Sequence, residues 1–175
     1  MKNLILIVSM FLSFSLTSAQ EKAKSIFDIA RSGTVAEVKE LMKQDPDVIN
    51  KTNESGFSPL ILACYRGNLE VADFLMGKVK NINYNSSMGT ALMAVIYKGD
   101  LKLTQKLLDH KSDINTADAI GTTPLIFATK LGNVEMVKLL IKNKADKNLK
   151  DKQGNTAFEY AVISKNPELI NQLKN

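Results

Sequence analysis

The chain has 175 residues, 45% hydrophobic and 23% charged, which describes one globular domain or a short array and excludes a disordered chain. A formal net charge of +5, with no Lys/Arg block longer than two residues, fits solubility and speaks against nucleic-acid binding, which draws on a clustered basic patch. One cysteine and one histidine exclude an internal disulfide and a zinc site.

Residues 1–19 read as a secretory signal peptide. Lys2 supplies a positive start, Leu4 to Leu16 are apolar or hydroxyl-bearing, and Thr17-Ser18-Ala19 places small residues where a signal peptidase needs them. Cleavage is expected between Ala19 and Gln20. The competing reading, a membrane anchor, is weaker because the uncharged run from Asn3 to Gln20 is only 18 residues and rich in Ser and Thr in its second half. A spanning helix needs about 20 mainly apolar residues. No later segment could cross a bilayer. The expectation is an exported protein, periplasmic or secreted, stabilised by its core alone.

From residue 25 onward one phrase recurs. Gly56-Phe57-Ser58-Pro59-Leu60, Gly121-Thr122-Thr123-Pro124-Leu125 and Gly154-Asn155-Thr156-Ala157-Phe158 are three copies, and Met88-Gly89-Thr90-Ala91-Leu92 is a weaker one. In the unit at 54–85, Ser58 suits a helix N-cap and Pro59 the first helical position, where a missing N–H costs nothing. Gly67-Asn68 ends that helix, and Leu69, Val71, Ala72, Phe74 and Leu75 continue with helical spacing. The unit at 119–151 repeats this from Thr123-Pro124-Leu125 through Gly132-Asn133 to Leu139-Leu140. The unit at 86–118 is looser, with Ala91 for Pro and Val95 at a small-residue position. Asn50, Asn83, Asn115 and Asn148 close successive units at spacings of 33, 32 and 33. The units at 25–53 and 152–175 look like caps, the first carrying an extra residue around Asp45-Pro46-Asp47 and the last ending on polar Asn171, Gln172 and Lys174. A fixed period of this length is the signature of a stacked solenoid.

The unit at 119–151 resembles the ankyrin repeat, whose pattern runs G-x-T-P-L-x-x-A, then G-x-x-E-x-V-x-x-L-L, then A-D-x-N. Ile126 stands where that family carries His, which removes a side-chain bond within the turn but leaves the helix pair. The resemblance implies an all-α solenoid of stacked helix-turn-helix units with short β-turn fingers, spanning residues 20–175. It implies a monomeric, non-catalytic module that binds a protein partner and needs no cofactor.

The chain carries few residues suited to catalysis. His110 follows Leu107-Leu108-Asp109 near a helix C-terminus, where a cation suits the helix dipole. Cys64 occupies a small position that the family packs inside, so a redox role requires a thiol that is not buried. No phosphate-binding glycine loop occurs. An enzyme or thiol-redox protein is the least favoured reading, and a secreted effector that engages host proteins is the alternative to a periplasmic binder.

The family resemblance also maps a binding surface onto turn tips and the adjacent face of each first helix. Tyr65-Arg66, Tyr97-Lys98 and Lys130-Leu131 precede the inter-helix glycines and recur in register, so stacking aligns them in rows about 10 Å apart. Phe57, Tyr84 and Ile120 join them from the turn tips, with Glu54, Ser86, Ser87, Thr122, Lys152 and Asn155. An aromatic and basic strip of this kind would accept a partner with acidic and apolar groups. The competing expectation is that Tyr65 and Tyr97 lie flat on their own units and cover the core.

Overall fold

The structure is a computed structural model and describes residues 23–174. The signal-peptide reading of residues 1–19 and its cleavage site lie outside them. Within the described residues the helices come in pairs: α1 (Ile26–Ser32) with α2 (Val35–Gln44), α3 (Pro59–Arg66) with α4 (Leu69–Met76), α5 (Ala91–Lys98) with α6 (Leu101–Asp109), α7 (Pro124–Lys130) with α8 (Val134–Lys142), and α9 (Ala157–Ile163) with α10 (Pro167–Leu173). A single 3-10 turn, Val48–Asn50, follows the extra residue of the first unit. The odd-numbered helices pack on one another in sequence as an inner layer, and the even-numbered ones form the outer layer. No strand is present among the described residues; one isolated bridge joins Ser86 and Gly89. No helix among them is long and apolar enough to cross a membrane.

Each inner helix starts because a hydroxyl waits for it. Ser25, Ser58, Thr90, Thr123 and Thr156 each accept a hydrogen bond from the backbone N–H three residues on. Such a cap contributes about 1 kcal/mol to helix stability. Gly67, Gly99 and Gly132 then turn the chain at φ of 74°, 70° and 71°, a region that favours glycine. The outer helices start on Thr34, Asp100, Asn133 and Asn166 in the same capping manner. Asn68 departs from that pattern. Its amide instead donates to the carbonyls of Ile29, Ala30 and Gly33 at 3.3, 3.3 and 2.9 Å, tying the end of α1 to the second unit.

The core is a continuous column. Leu60, Leu92 and Leu125 hold the same register on α3, α5 and α7 and are buried, as are Ala63, Val95 and Ala128 behind them. Val71 and Leu75, Leu103 and Leu107, and Met136 and Leu140 fill the space between layers. The closing asparagines join one unit to the next. Asn50 Oδ1 accepts from the Lys80 N–H at 2.9 Å, Asn83 Oδ1 from Asp113 at 2.7 Å, and Asn115 Oδ1 from Asp146 at 3.0 Å. Their spacing in the sequence is thus the spacing of an inter-unit hydrogen bond.

The fingers explain the one short period. In three of them an Asn or Asp side chain (Asn53, Asp118, Asp151) accepts from two backbone N–H groups of its own turn. Gly56, Gly121 and Gly154 complete those turns at φ of 78°, 82° and 84°. With each finger numbered by its unit, the third finger closes instead between Ser86 and Gly89, one residue sooner than the second, fourth and fifth.

The last unit is only partly a cap. Its outer helix presents polar Glu168, Asn171 and Gln172 to solvent, as expected. Its inner helix leaves Phe158, Val162 and Ile163 36%, 47% and 66% exposed. Phe158 and Val162 hold the register positions of Leu125 and Thr129, which are buried in the interior of the stack.

Candidate protein-binding face

The inner helices and fingers enclose a groove of about 490 Å³ that crosses four units, from Arg31 on α1 to Phe127 on α7. Its ridge is built by Tyr65 and Tyr97, each near the C-terminal end of its helix. The rings stack on one another with centroids 5.8 Å apart and planes 16° from parallel. They remain 43% and 55% exposed. The two rings form one aromatic platform shared between adjacent units. The Arg66 guanidinium sits 5.9 Å from the Tyr65 ring centroid. Such a contact at an exposed site contributes about 0.5–1 kcal/mol. Lys98 is exposed beside it, and Leu131 is 43% exposed at the end of α7.

Phe57 is half-buried and lines the groove from the second finger, whereas Ile120 projects 58% exposed from the fourth. Three residues assigned to the turn-tip surface by the repeat pattern sit elsewhere. The half-buried Tyr84 donates its hydroxyl to the Gly56 carbonyl at 3.0 Å and lines a separate seam with Ile49, Leu60, Val79 and Ile82. Ser86 is buried because its hydroxyl closes the short third finger onto Gly89 at 2.8 Å. Thr122 is buried beneath the fourth finger.

Two contributors were missed in the sequence. Tyr160 lies under Lys130, whose Nζ is 4.7 Å from the ring centroid, and donates its hydroxyl to Asp151 Oδ2 at 2.5 Å. That hydroxyl, with backbone N–H groups of the finger, holds the Asp151 carboxyl below the usual carboxylate range. Lys130 thus lies over an aromatic ring of the next unit while remaining exposed. Met88 is 73% exposed on the rim of the groove. Its place in the glycine position of a weak repeat copy was the available signal for both its exposure and the altered finger.

The two residues considered for chemistry occupy structural positions. His110 caps the C-terminus of α6, and its Nδ1 lies 2.9 Å from the Lys106 carbonyl. Cys64 is 1% exposed. Burial, and secondarily the charge of Asp100, pushes its thiol far above the ordinary range. Native protein should therefore react with a maleimide only slowly, and unfolding should release one fast-reacting thiol. Labelling of folded protein at the rate of an exposed cysteine would refute the burial of Cys64.

Comparison with known proteins agrees with this architecture. The family model described as ankyrin repeats, in three copies, matches residues 26–118 and again residues 91–175. The rat ankyrin repeat and SAM domain-containing protein 6 is 29% identical over 109 residues, covering 61% of this chain and 12% of the rat protein. The mouse protein of the same name is 28% identical over 100 residues, covering 56% of this chain and 11% of its own length. The similarity thus spans a small part of those relatives. Ankyrin repeats are protein–protein interaction modules, and the stacked helix pairs, the fingers and the matched family model together establish that the chain belongs to the ankyrin-repeat family.

Proposed function

We propose that the five helix pairs are five ankyrin repeats that hold a protein partner, without catalysis, on the face carrying Tyr65 and Tyr97, and that the protein does so outside the cytoplasm. The observation that supports the face is the aromatic platform: two stacked tyrosines, both substantially exposed, flanked by Arg66 and Lys98. Tyr and Arg are enriched among the residues that carry most of the energy of protein interfaces, Tyr because it buries a large rigid area at low cost in rotamer entropy and Arg because its guanidinium presents several donors in a fixed geometry. The export reading is supported by the character of residues 1–19. The destination is the periplasm if the source is a Gram-negative bacterium, or the medium, where the protein would act as an effector.

The test is capture of a partner from the native exported fraction by wild-type protein and by the Tyr65→Ala, Tyr97→Ala form. The double substitution is expected to abolish capture while leaving the helical circular dichroism intact, since loss of an exposed aromatic pair costs only about 1 kcal/mol of stability. Equal capture by both forms would remove this face from consideration. The exported protein itself should have the mass of a chain that begins at Gln20, and recovery of an uncleaved form would refute the signal-peptide reading.

A further inference from the structure

The chemistry of the groove narrows the class of partner. In the three interior units the inner helices α3, α5 and α7 carry Arg66, Lys98 and Lys130 and no acidic residue, while on the outer helices Glu70, Asp73, Asp109 and Glu135 are balanced by Lys102, Lys106, Lys138 and Lys142. The inner layer of these units is thus net positive and the outer layer neutral. Arg31 and Arg66 line the groove itself, and none of its lining residues is acidic. Arg66 makes no ion pair among the described residues, so a carboxylate placed there meets an available guanidinium.

The floor of the groove is uneven for a reason visible in the register. Leu62, Ala94 and Phe127 hold the same position on α3, α5 and α7, so the third unit places a methyl group between two large side chains. All three line the groove, and Ala94 is only half-buried. Met88, from the short finger of the third unit, lines the same groove, and a flexible thioether adapts to different apolar shapes.

Spacing sets the form of the occupant. Packed helices lie about 10 Å apart, and an extended peptide advances about 3.3 Å per residue, so one unit of the array corresponds to three peptide residues. We infer that the groove takes an extended peptide segment with carboxylates three residues apart around one bulky apolar side chain, and that Ala94 is the residue that admits that side chain. This inference rests on the reading of the Tyr65–Tyr97 face as the binding face.

The probe is a phage-displayed library of random nine-residue peptides, selected on the protein, with the enriched sequence then measured by fluorescence anisotropy. Enriched peptides are expected to carry Asp or Glu three positions apart beside Leu, Ile, Met or Phe. Ala94→Leu, which copies the residue tolerated at Leu62, should weaken the enriched peptide by about tenfold or more, and Ala94→Val serves if Leu does not fold. Arg66→Glu, at an exposed position, should weaken it by about tenfold at low ionic strength and less in high salt. Enrichment of neutral or basic peptides, no enrichment at all, or equal binding to wild type and the Ala94 variants would overturn the inference. If that happens while the Tyr65→Ala, Tyr97→Ala form still loses the native partner, the face stands and the acidic peptide is discarded. If the double variant also retains the partner, the face is discarded with it.

Discussion

Leu92→Ala is expected to lower the stability of the array by about 3 kcal/mol, whereas Phe158→Ala lowers it by about 1 kcal/mol. The two residues hold the same register position on their inner helices. Leu92 is 0% exposed because α5 packs between α3 and α7. Phe158 is 36% exposed, with α7 on one side and no further inner helix among the described residues on the other. Removing Leu92 leaves a cavity within the column, and its lining cannot collapse without moving both neighbouring helices. Truncating Phe158 leaves a shallow surface defect that water can fill. Urea unfolding measures both effects directly. A fall in the midpoint with an unchanged slope assigns the Leu92 loss to the folded array as one cooperative unit. Because a solenoid is held by nearest-neighbour interfaces, the difference between the two variants reports the coupling between adjacent units. Equal losses would mean that the inner column is not the main source of that coupling.

The exposure of Phe158 also marks where the periodic pattern stops being informative. Register fixes which residues share a row, and it puts Ser58 and Thr123 at helix starts, where both act as N-caps with Pro59 and Pro124 as the first helical residues. It identified Asn50, Asn83 and Asn115 as equivalent, but the meaning of that equivalence is a bond between a side chain and the backbone of the next unit. Such a bond depends on the relative placement of stacked units. The same applies at the binding face. Tyr65 and Tyr97 were legible as a row, yet their stacking requires rotamers that lean across the gap between helices. Tyr84 and Tyr160 exchanged roles for a comparable reason. Tyr84 is turned into a seam by the Gly56 carbonyl, and Tyr160 is drawn under Lys130 by Asp151 of its own finger. Ser86 and Thr122 were assigned to the surface because fingers project, but the short third turn folds the Ser86 hydroxyl inward. Thr122 keeps its side chain under the fourth finger, beside the helix cap at Thr123.

The fingers offer a second comparison at matched backbone geometry. Gly121 and Gly154 occupy equivalent turns at φ of 82° and 84°, where an alanine is strained by about 1 kcal/mol. A Cβ at Gly154 would meet nothing within 4 Å. A Cβ at Gly121 would lie 2.9 Å from the Lys152 backbone nitrogen and 3.1 Å from Asp151 Cα, atoms of the next finger that cannot rotate away. The same Lys152 N–H donates to the Ile120 carbonyl at 3.0 Å, so the two fingers are joined where the added methyl would intrude. Gly154→Ala is therefore expected to cost about 1 kcal/mol, and Gly121→Ala about 3 kcal/mol, the excess arising from displacement of one finger by the other. Amide hydrogen exchange separates the two causes. Gly121→Ala should speed exchange at Lys152, because its acceptor is pushed away, beyond any acceleration seen in Gly154→Ala. If the two variants unfold at the same denaturant concentration, the contact between the fourth and fifth fingers contributes nothing to stability. The fingers would then move independently, and a partner seated across them would have to order them on binding.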